Sequence, residues 1–378
     1  MIEEMEKHTL LYLFPGPKYY LQNTLGERFK ALSKNYKGTI FTTPHGDCTH
    51  LSDFTVHTVA YQYTSQLKHN LYYLVAALKH ARKIKRNKVD IVISYDPLVT
   101  GLVAYIVSKY LSAKLIVEVN GDFTHPAIYH DQKSRLFATI KKTIFKTIAR
   151  FVIHQSNGVK LLYKNQIDWI NMENYKGQVL VGPDFVDITP FILNSDKYKE
   201  TNTILVIGFP FYIKGIDIII KAFKNIENEF PNWHLKILGW YPIHDQITSL
   251  IGSSRNIHLK KPVPYSRMIE EIGSAKIIAQ PSRTEAMGRA LVESAAAKKA
   301  RVGSNVGGIP TILEHNVTGL LVEPGNIEDL TKSLALLMSD EKLRNKLGKA
   351  AQDFAKIYNS LDNYIKMNDK FYQSVLST

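Results

Sequence analysis

Short apolar runs that alternate with longer amphipathic stretches are what most limit the folds open to this chain. Residues 8–14 (HTLLYLF) carry the pattern of a buried strand, a helix is expected over 20–34, and a strand at 38–42 completes a β-α-β unit. A helix over 67–87, a strand at 90–94, a helix at 98–111 and a strand at 113–119 continue the series. Strands spaced in this way pair in parallel, with helices on both faces of the sheet. Residues 44–58 read as a loop, whose His45, His50 and His57 match no metal template and read as scattered surface histidines. After residue 200 the alternation returns, with strands at 203–208, 235–239, 257–259 and 276–280 and helices at 216–227, 327–338 and 341–356. A chain of 378 residues has room for two such domains, each with its own core.

Doubly wound sheets bind ligands outside the carboxyl ends of their strands. By that rule Gly16 and Lys18, after the first strand, and Asn120-Gly121-Asp122, after the strand at 113–119, are expected to line the crevice. No G-x-G-x-x-G follows the first strand, so no dinucleotide fingerprint is expected.

Composition narrows the partners. The net charge of +14 favours an anionic one: nucleic acid, an acidic membrane surface or a phosphate-bearing substrate. No nucleic-acid recognition motif accompanies the charge, so nucleic acid is not the expected partner. No apolar run approaches the roughly 18 residues that span a bilayer, and MIEEMEK at the start carries no hydrophobic segment of a signal peptide. Cys48 is the one cysteine, which excludes an internal disulfide framework and any all-cysteine metal site. These features point to the cytoplasm.

The stretch 280–325 (QPSRTEAMGRALVESAAAKKARVGSNVGGIPTILEHNVTGLLVEPG) carries the chemistry. It follows an apolar strand, breaks at Pro281-Ser282, presents Glu285 in a loop and starts a helix near Gly288 that carries Glu293 in its early turns. Were all eight steps from Glu285 to Glu293 helical, they would span about 12 Å. That suits an extended ligand better than two carboxylates sharing a proton. Ala286, Met287 and Gly288 are small or flexible enough to admit a ligand close to the backbone. The amides at Gly288 and Arg289 are the unsatisfied donors of a helix start, a natural seat for phosphate. Carboxylates accept from hydroxyls and repel phosphate, so the order reads as hydroxyl-rich group, diphosphate, hydroxyl-rich group. A nucleotide sugar has that order. The plainer reading is a surface helix with two solvated glutamates.

The same stretch resembles the signature of the family 4 retaining glycosyltransferases of the GT-B fold. The shared elements are Pro281-Ser282, Glu285 and Glu293 at their spacing, Gly307-Gly308-x-Pro310, and Thr318-Gly319 followed by Leu320, Leu321 and Val322. The resemblance runs over roughly residues 8–375 and is concentrated after 200. It implies an α/β fold of two Rossmann-like, doubly wound parallel-sheet domains facing a cleft. An acceptor-binding domain is expected over 1–190, a nucleotide-sugar-binding domain over 191–359, and a final helix, about 360–378, that packs back on the first. Segment 179–191 is similar to the family's interdomain segment. A retaining transfer from a nucleotide-diphosphate sugar to a saccharide or lipid-linked acceptor is implied, as in cell-surface polysaccharide or glycoconjugate synthesis. Glu285 would contact the donor sugar and Glu293 the ribose hydroxyls, with Met287, Gly288 and Arg289 between them. Gly208 and Lys214 match the family's phosphate-side residues, but Phe209 stands where an arginine is usual, and Arg289 and Arg283 are the candidates to replace it. Asn120 occupies the place of a histidine that touches the donor sugar, and Lys261 and Val263 would neighbour the base. No cofactor and no metal are expected, since the chain has no Asp-x-Asp.

A helix over 133–150 stands apart from this site. Leu136, Ile140, Ile144 and Ile148 recur every four residues, Lys141, Lys142, Lys146 and Arg150 lie off that stripe, and no acidic residue occurs from 132 to 167. It is either a core helix with a solvated outer face or a peripheral contact with anionic lipid. Three other functions remain open on sequence: a sugar-nucleotide epimerase needing no acceptor, a catalytically impaired homologue lacking the phosphate-side arginine, and, more distantly, a nucleic-acid-binding protein.

Overall fold

A computed structural model describes residues 7–14, 26–43, 49–59, 65–130, 134–239 and 244–378. The chain divides into two compact units, one of Met1–Thr124, Lys133–Asp187 and Leu361–Thr378, the other of His125–Gln132 and Ile188–Ser360.

Among the described residues the first unit has eight strands: β1 (His8–Leu13), β2 (Tyr36–Thr42), β3 (His50–Leu51), β4 (Phe54–Thr58), β5 (Ile91–Ser94), β6 (Lys114–Val119), β7 (Gly158–Leu161) and β8 (Gln178–Val181). Their order is β3-β4-β2-β1-β5-β6-β7-β8, parallel except where the short β3 runs against β4. Leu10, Leu11, Tyr12 and Leu13 are all buried although they alternate between faces, as a sheet covered on both sides requires. β3 and β4 correct the loop expected over 44–58. Phe54 and Val56 turn into the core while His57 stacks on Phe41, a period-two strand whose polar positions masked it in the sequence. Of the helix expected over 20–34, the described part is Gly26–Leu32. Gly16 and Lys18 lie outside the described residues.

The terminal helix Leu361–Leu376 buries Tyr364, Phe371, Tyr372 and Val375 in this unit and packs against β8 and the helix Gly26–Leu32. Burying each such side chain is worth about 1.5–3 kcal/mol. The helix also roofs a charged cluster. Arg28 reaches Glu118 at 3.2 Å and Asp184 at 3.7 Å, and Lys160 reaches the same two carboxylates at 3.7 Å each. Two buried cations facing two carboxylates keep the cluster neutral, without which its desolvation would not be tolerated.

The second unit has six parallel strands: β9 (Thr201–Ile207), β10 (His234–Leu238), β11 (Ile257–Lys260), β12 (Ala275–Gln280), β13 (Ala300–Ser304) and β14 (Leu320–Val322), in the order β11-β10-β9-β12-β13-β14. The winding therefore reverses between β9 and β12. In open α/β sheets the crevice outside the strand ends at that reversal is the ligand position. The helix Ile216–Lys224, nearly all apolar on its inner side, packs Ile216, Ile219, Ile220 and Phe223 under the same strands and so fixes the loop that leaves β9.

Candidate active site

Two loops leave the sheet side by side at the β9/β12 reversal, and most of the residues singled out in the second half lie on them. The loop after β9 runs from Gly208 to Gly215, and the loop after β12 from Pro281 to Gly288. They are stitched together by the Arg283 amide, which donates to the Ile213 carbonyl at 2.8 Å. Gly215 has φ +65°, and a Cβ there would sit 2.0 Å from the Pro281 carbonyl oxygen, so no other residue lets the loops close to this spacing.

Glu285 is the junction. Its Oε2 accepts from Lys214 Nζ at 2.5 Å, from Ser282 Oγ at 3.2 Å and from Gln280 Nε2. Oε1 takes no donor among the described residues. Among the described residues, all the hold on this carboxylate falls on one oxygen. Lys214 still has two N–H donors beyond the one given to Glu285. The Gly307-Gly308 pair lies behind the loop: Gly308 N donates to Glu285 O at 3.1 Å, and a Cβ on Gly307 would come within 1.9 Å of that same oxygen. The glycines of the Gly-Gly-x-Pro element thus serve as the backing of the Glu285 loop.

Gly288, at φ +88°, turns the chain into the helix Arg289–Ala296. No side chain caps that helix, and the first amides to bond within it, those of Leu291 and Val292, turn back to Gly288 O. The amides before them head the helix with the positive end of its dipole. Met287 is half-buried beside this start.

Glu293, one turn further on, is 3% exposed. Its Oε1 accepts from Arg289 Nε at 2.7 Å and Tyr265 Oη at 2.9 Å, and the Arg289 guanidinium lies over the Tyr265 ring at 4.7 Å. Burial pushes the Glu293 carboxyl above the usual range, a shift the Arg289 charge partly offsets. As at Glu285, one oxygen is held and Oε2 takes no donor among the described residues. Lys261 is exposed and Val263 half-buried on the segment that leads from β11 into Tyr265.

The two arginines proposed to replace the one missing at Phe209 differ in their commitments. Arg283 is gripped by both oxygens of Asp217, at 2.7 Å each, and also donates to Tyr212 O at 2.7 Å. Its guanidinium lies over the Tyr212 ring at 3.9 Å, and His130 stacks on that ring at 3.5 Å. Arg283 therefore braces the loop after β9 instead of standing ready for a phosphate. Arg289 shares its charge with Glu293 but keeps 42% of its side chain exposed. Gly208 admits the close packing of Ile216, whose Cδ1 would lie 2.6 Å from a Cβ there.

Asn120 belongs to the first unit. Its Nδ2 donates to Tyr95 O at 3.1 Å and Glu118 Oε2 at 3.2 Å, which fixes the amide orientation and leaves Oδ1 buried without a partner among the described residues. Sequence reasoning had Ser282 only as part of the Pro-Ser element, and missed Tyr265, Gln280 and Asp217, and also Arg301 on β13. Arg301 is fully buried and donates to the carbonyls of Leu291, Ile312 and Thr318, tying the Glu293 helix to the turns that follow it. Burial without a carboxylate partner pushes its guanidinium down to about 9.

Comparison with known proteins bears on the family and the fold. The family model described as Glycosyl transferases group 1 matches residues 189–354. An uncharacterized glycosyltransferase of Methanocaldococcus jannaschii is 26% identical over 331 residues, 81% of this chain and 86% of the relative. Among solved structures, a glycosyltransferase from Rickettsia africae superposes with TM-score 0.75 at 21% identity, over 98% of this chain and 99% of its own. Anabaena HepE, solved with UDP and glucose, superposes with TM-score 0.74 at 14% identity, over 99% of this chain and 100% of its own. The helix start flanked by the two glutamates lies in the matched segment: residues 189–354 form a glycosyl transferases group 1 domain, and the chain is a glycosyltransferase.

Proposed function

We propose that the enzyme is a retaining glycosyltransferase that moves a sugar from a nucleotide-diphosphate donor to a saccharide or lipid-linked acceptor, in the synthesis of a cell-surface polysaccharide or glycoconjugate. The observation that carries this reading is the paired arrangement of Glu285 and Glu293 about the helix start at Gly288. Each glutamate holds one oxygen toward the protein and one that takes no donor among the described residues. A diphosphate at the leading amides, near Arg289 and Met287, would place a sugar hydroxyl at Glu285 and the ribose at Glu293.

The side-chain charges named at the site balance one another. Lys214 with Glu285, Arg289 with Glu293 and Arg283 with Asp217 form three matched pairs. The two negative charges of a diphosphate must then be met by the spare donors of Lys214 and by helix amides, without a metal in this reading. Gly208 lets the loop lie close to the phosphates, and Lys261 and Val263 neighbour the base. By family analogy alone, Asn120 would accept a sugar hydroxyl and Gly16 would be a crevice residue. The supporting relatives include the HepE structure, whose ligands are UDP and glucose. The work is placed at the cytoplasmic face of a membrane, reached through the basic helix now seen to span Arg135–Gln155. Nucleic acid has no part in it.

Incubation with a matching donor and acceptor, followed by NMR of the product's anomeric proton, tests the reading. The donor's anomeric configuration should persist; inversion removes the retaining mechanism, and isomerised free donor would make the enzyme an epimerase. A second reading is favoured by Phe209 and by the engagement of Arg283 with Asp217: donor binding without turnover, as in an impaired homologue. Donor hydrolysis and transfer both absent in the presence of measured donor binding would establish it.

A further inference from the structure

The helix Arg135–Gln155 is not the core helix its apolar stripe would make it. Its buried residues are Ala149, Val152 and Ile153, all in the last two turns. The stripe instead faces outward: Leu136 is 68% exposed, Phe137 70%, Ile140 45% and Ile144 50%. Thr139, Thr143 and Thr147 donate their hydroxyls to their own helix's carbonyls four residues back, so this surface needs no water to satisfy them.

A second helix of the unit, Gln66–Ile84, repeats the pattern. Lys68, Leu71, Val75, Lys79 and Arg82 form one exposed row at helical spacing, with Leu71 62% and Val75 42% exposed. The helix Val99–Leu111 lies between the two and packs on both. None of the three carries an aspartate or glutamate, and no acidic residue occurs anywhere from 54 to 89 or from 132 to 167. All three are crossovers between parallel strands, so they run antiparallel to the sheet and start at its carboxyl end. Apart from Phe151, the large exposed apolar residues of both outer helices lie between their first turn and their midpoint. They therefore gather toward one end of one face, the end at which Asn120 leaves β6, with Lys68 and Arg135 among them and further cations along both helices.

We propose that these two helices form a single platform that docks on an anionic lipid bilayer, inserting Leu71 and Val75 together with Leu136, Phe137 and Ile140. Charge complementarity selects the occupant: a carboxylate-free face with apolar tips fits a surface that is anionic at the headgroups and apolar beneath. Among the described residues no helix is long and apolar enough to cross a membrane. The platform deepens the membrane contact read above and rests on the glycosyltransferase reading only for its consequence, that the acceptor-binding end of this unit meets acceptors anchored in lipid.

The test is cosedimentation of the full chain with vesicles of phosphatidylcholine alone and of phosphatidylcholine mixed with phosphatidylglycerol. Binding should be at least about tenfold tighter to the anionic vesicles and should weaken with salt. Leu71→Glu/Val75→Glu and Phe137→Glu/Ile140→Glu should each weaken it by about tenfold or more. Both double variants should keep the wild-type melting curve, since the replaced side chains are exposed. Equal binding to neutral and anionic vesicles overturns the proposal. So does unchanged binding by the Leu71/Val75 variant, which would confine docking to one helix. A wild-type dimer in sedimentation that either variant dissolves would assign the face to a second copy instead. Loss of donor binding leaves the vesicle result intact, so the two readings fail separately.

Discussion

Lys214 and Glu285, one on each loop at the β9/β12 reversal, are joined through Nζ and Oε2 at 2.5 Å. The pair links a cation suited to a leaving diphosphate with a carboxylate suited to the sugar, so each sets the other's position before donor arrives. Both are partly open to solvent, at 22% and 12% of their side chains. The direct Coulombic contribution to stability should therefore be modest, and the larger effect should be on catalysis.

Lys214→Ala should lower kcat by about a hundredfold, roughly 2.7 kcal/mol of transition-state stabilisation, with little change in Tm. Steady-state kinetics alongside thermal melts check this. Unchanged turnover would transfer the diphosphate to another cation.

Glu293→Ala removes the acceptor of both Arg289 Nε and Tyr265 Oη. Leaving those donors unpaired should cost about 1–3 kcal/mol of stability, and the donor KM should rise by about tenfold or more. Glu293→Gln keeps an oxygen for them and should recover most of the stability while the donor KM stays raised. A Gln variant with wild-type KM would make Glu293 structural.

Gly307→Ala tests the backing of the Glu285 loop. Its added methyl meets the Glu285 carbonyl oxygen at 1.9 Å, and φ is +52°. A loss of about 2 kcal/mol or more in denaturant unfolding is expected, together with weaker donor binding. Undiminished stability would mean that the loop yields freely.

Arg301→Met should be among the most damaging substitutions in the second unit. It strands the carbonyls of Leu291, Ile312 and Thr318 in the core, at a cost of about 3–5 kcal/mol. Chemical denaturation reads it directly, and a loss below about 1 kcal/mol would show that those carbonyls find other donors.

Acid should destabilise the fold through His80. Burial pushes its imidazole down to about 4, helped by His57 and Lys83, and its ring stacks on His57 at 4.5 Å. The unfolded chain takes up this proton near pH 6.5 and the folded chain does so near 4. Stability is therefore full above about 6.5 and falls as pH drops toward 4, by about 1–2 kcal/mol after allowance for solvent screening. His80→Phe should remove that slope in pH-dependent unfolding; an unaltered slope would assign it elsewhere.

The strands legible in the sequence are those with an unbroken apolar run at their centre. Residues 8–13 and 275–280 announce themselves because a sheet covered on both faces buries alternate side chains equally. β7 and β13 escaped because each holds a long cation, Lys160 and Arg301, whose partners come from distant segments. Sequence spacing cannot show a charge that is paired across the fold. The same limit explains the site. The spacing of Glu285 and Glu293 and the glycine at 288 were visible, whereas Tyr265, 28 positions before Glu293, was not. The apolar period of the helix Arg135–Gln155 is legible as a period, but which residues it buries depends on its packing against the helix Val99–Leu111 and β6, which no local pattern encodes.

The most direct test of the donor site is a thermal-shift titration of wild type and Glu293→Ala with a panel of nucleotide sugars. At least one donor should raise the wild-type Tm in a concentration-dependent manner, as binding to the folded state requires, and should shift the variant far less. No shift with any donor, or an equal shift in the variant, would contradict the assignment of this helix start as the nucleotide-sugar site.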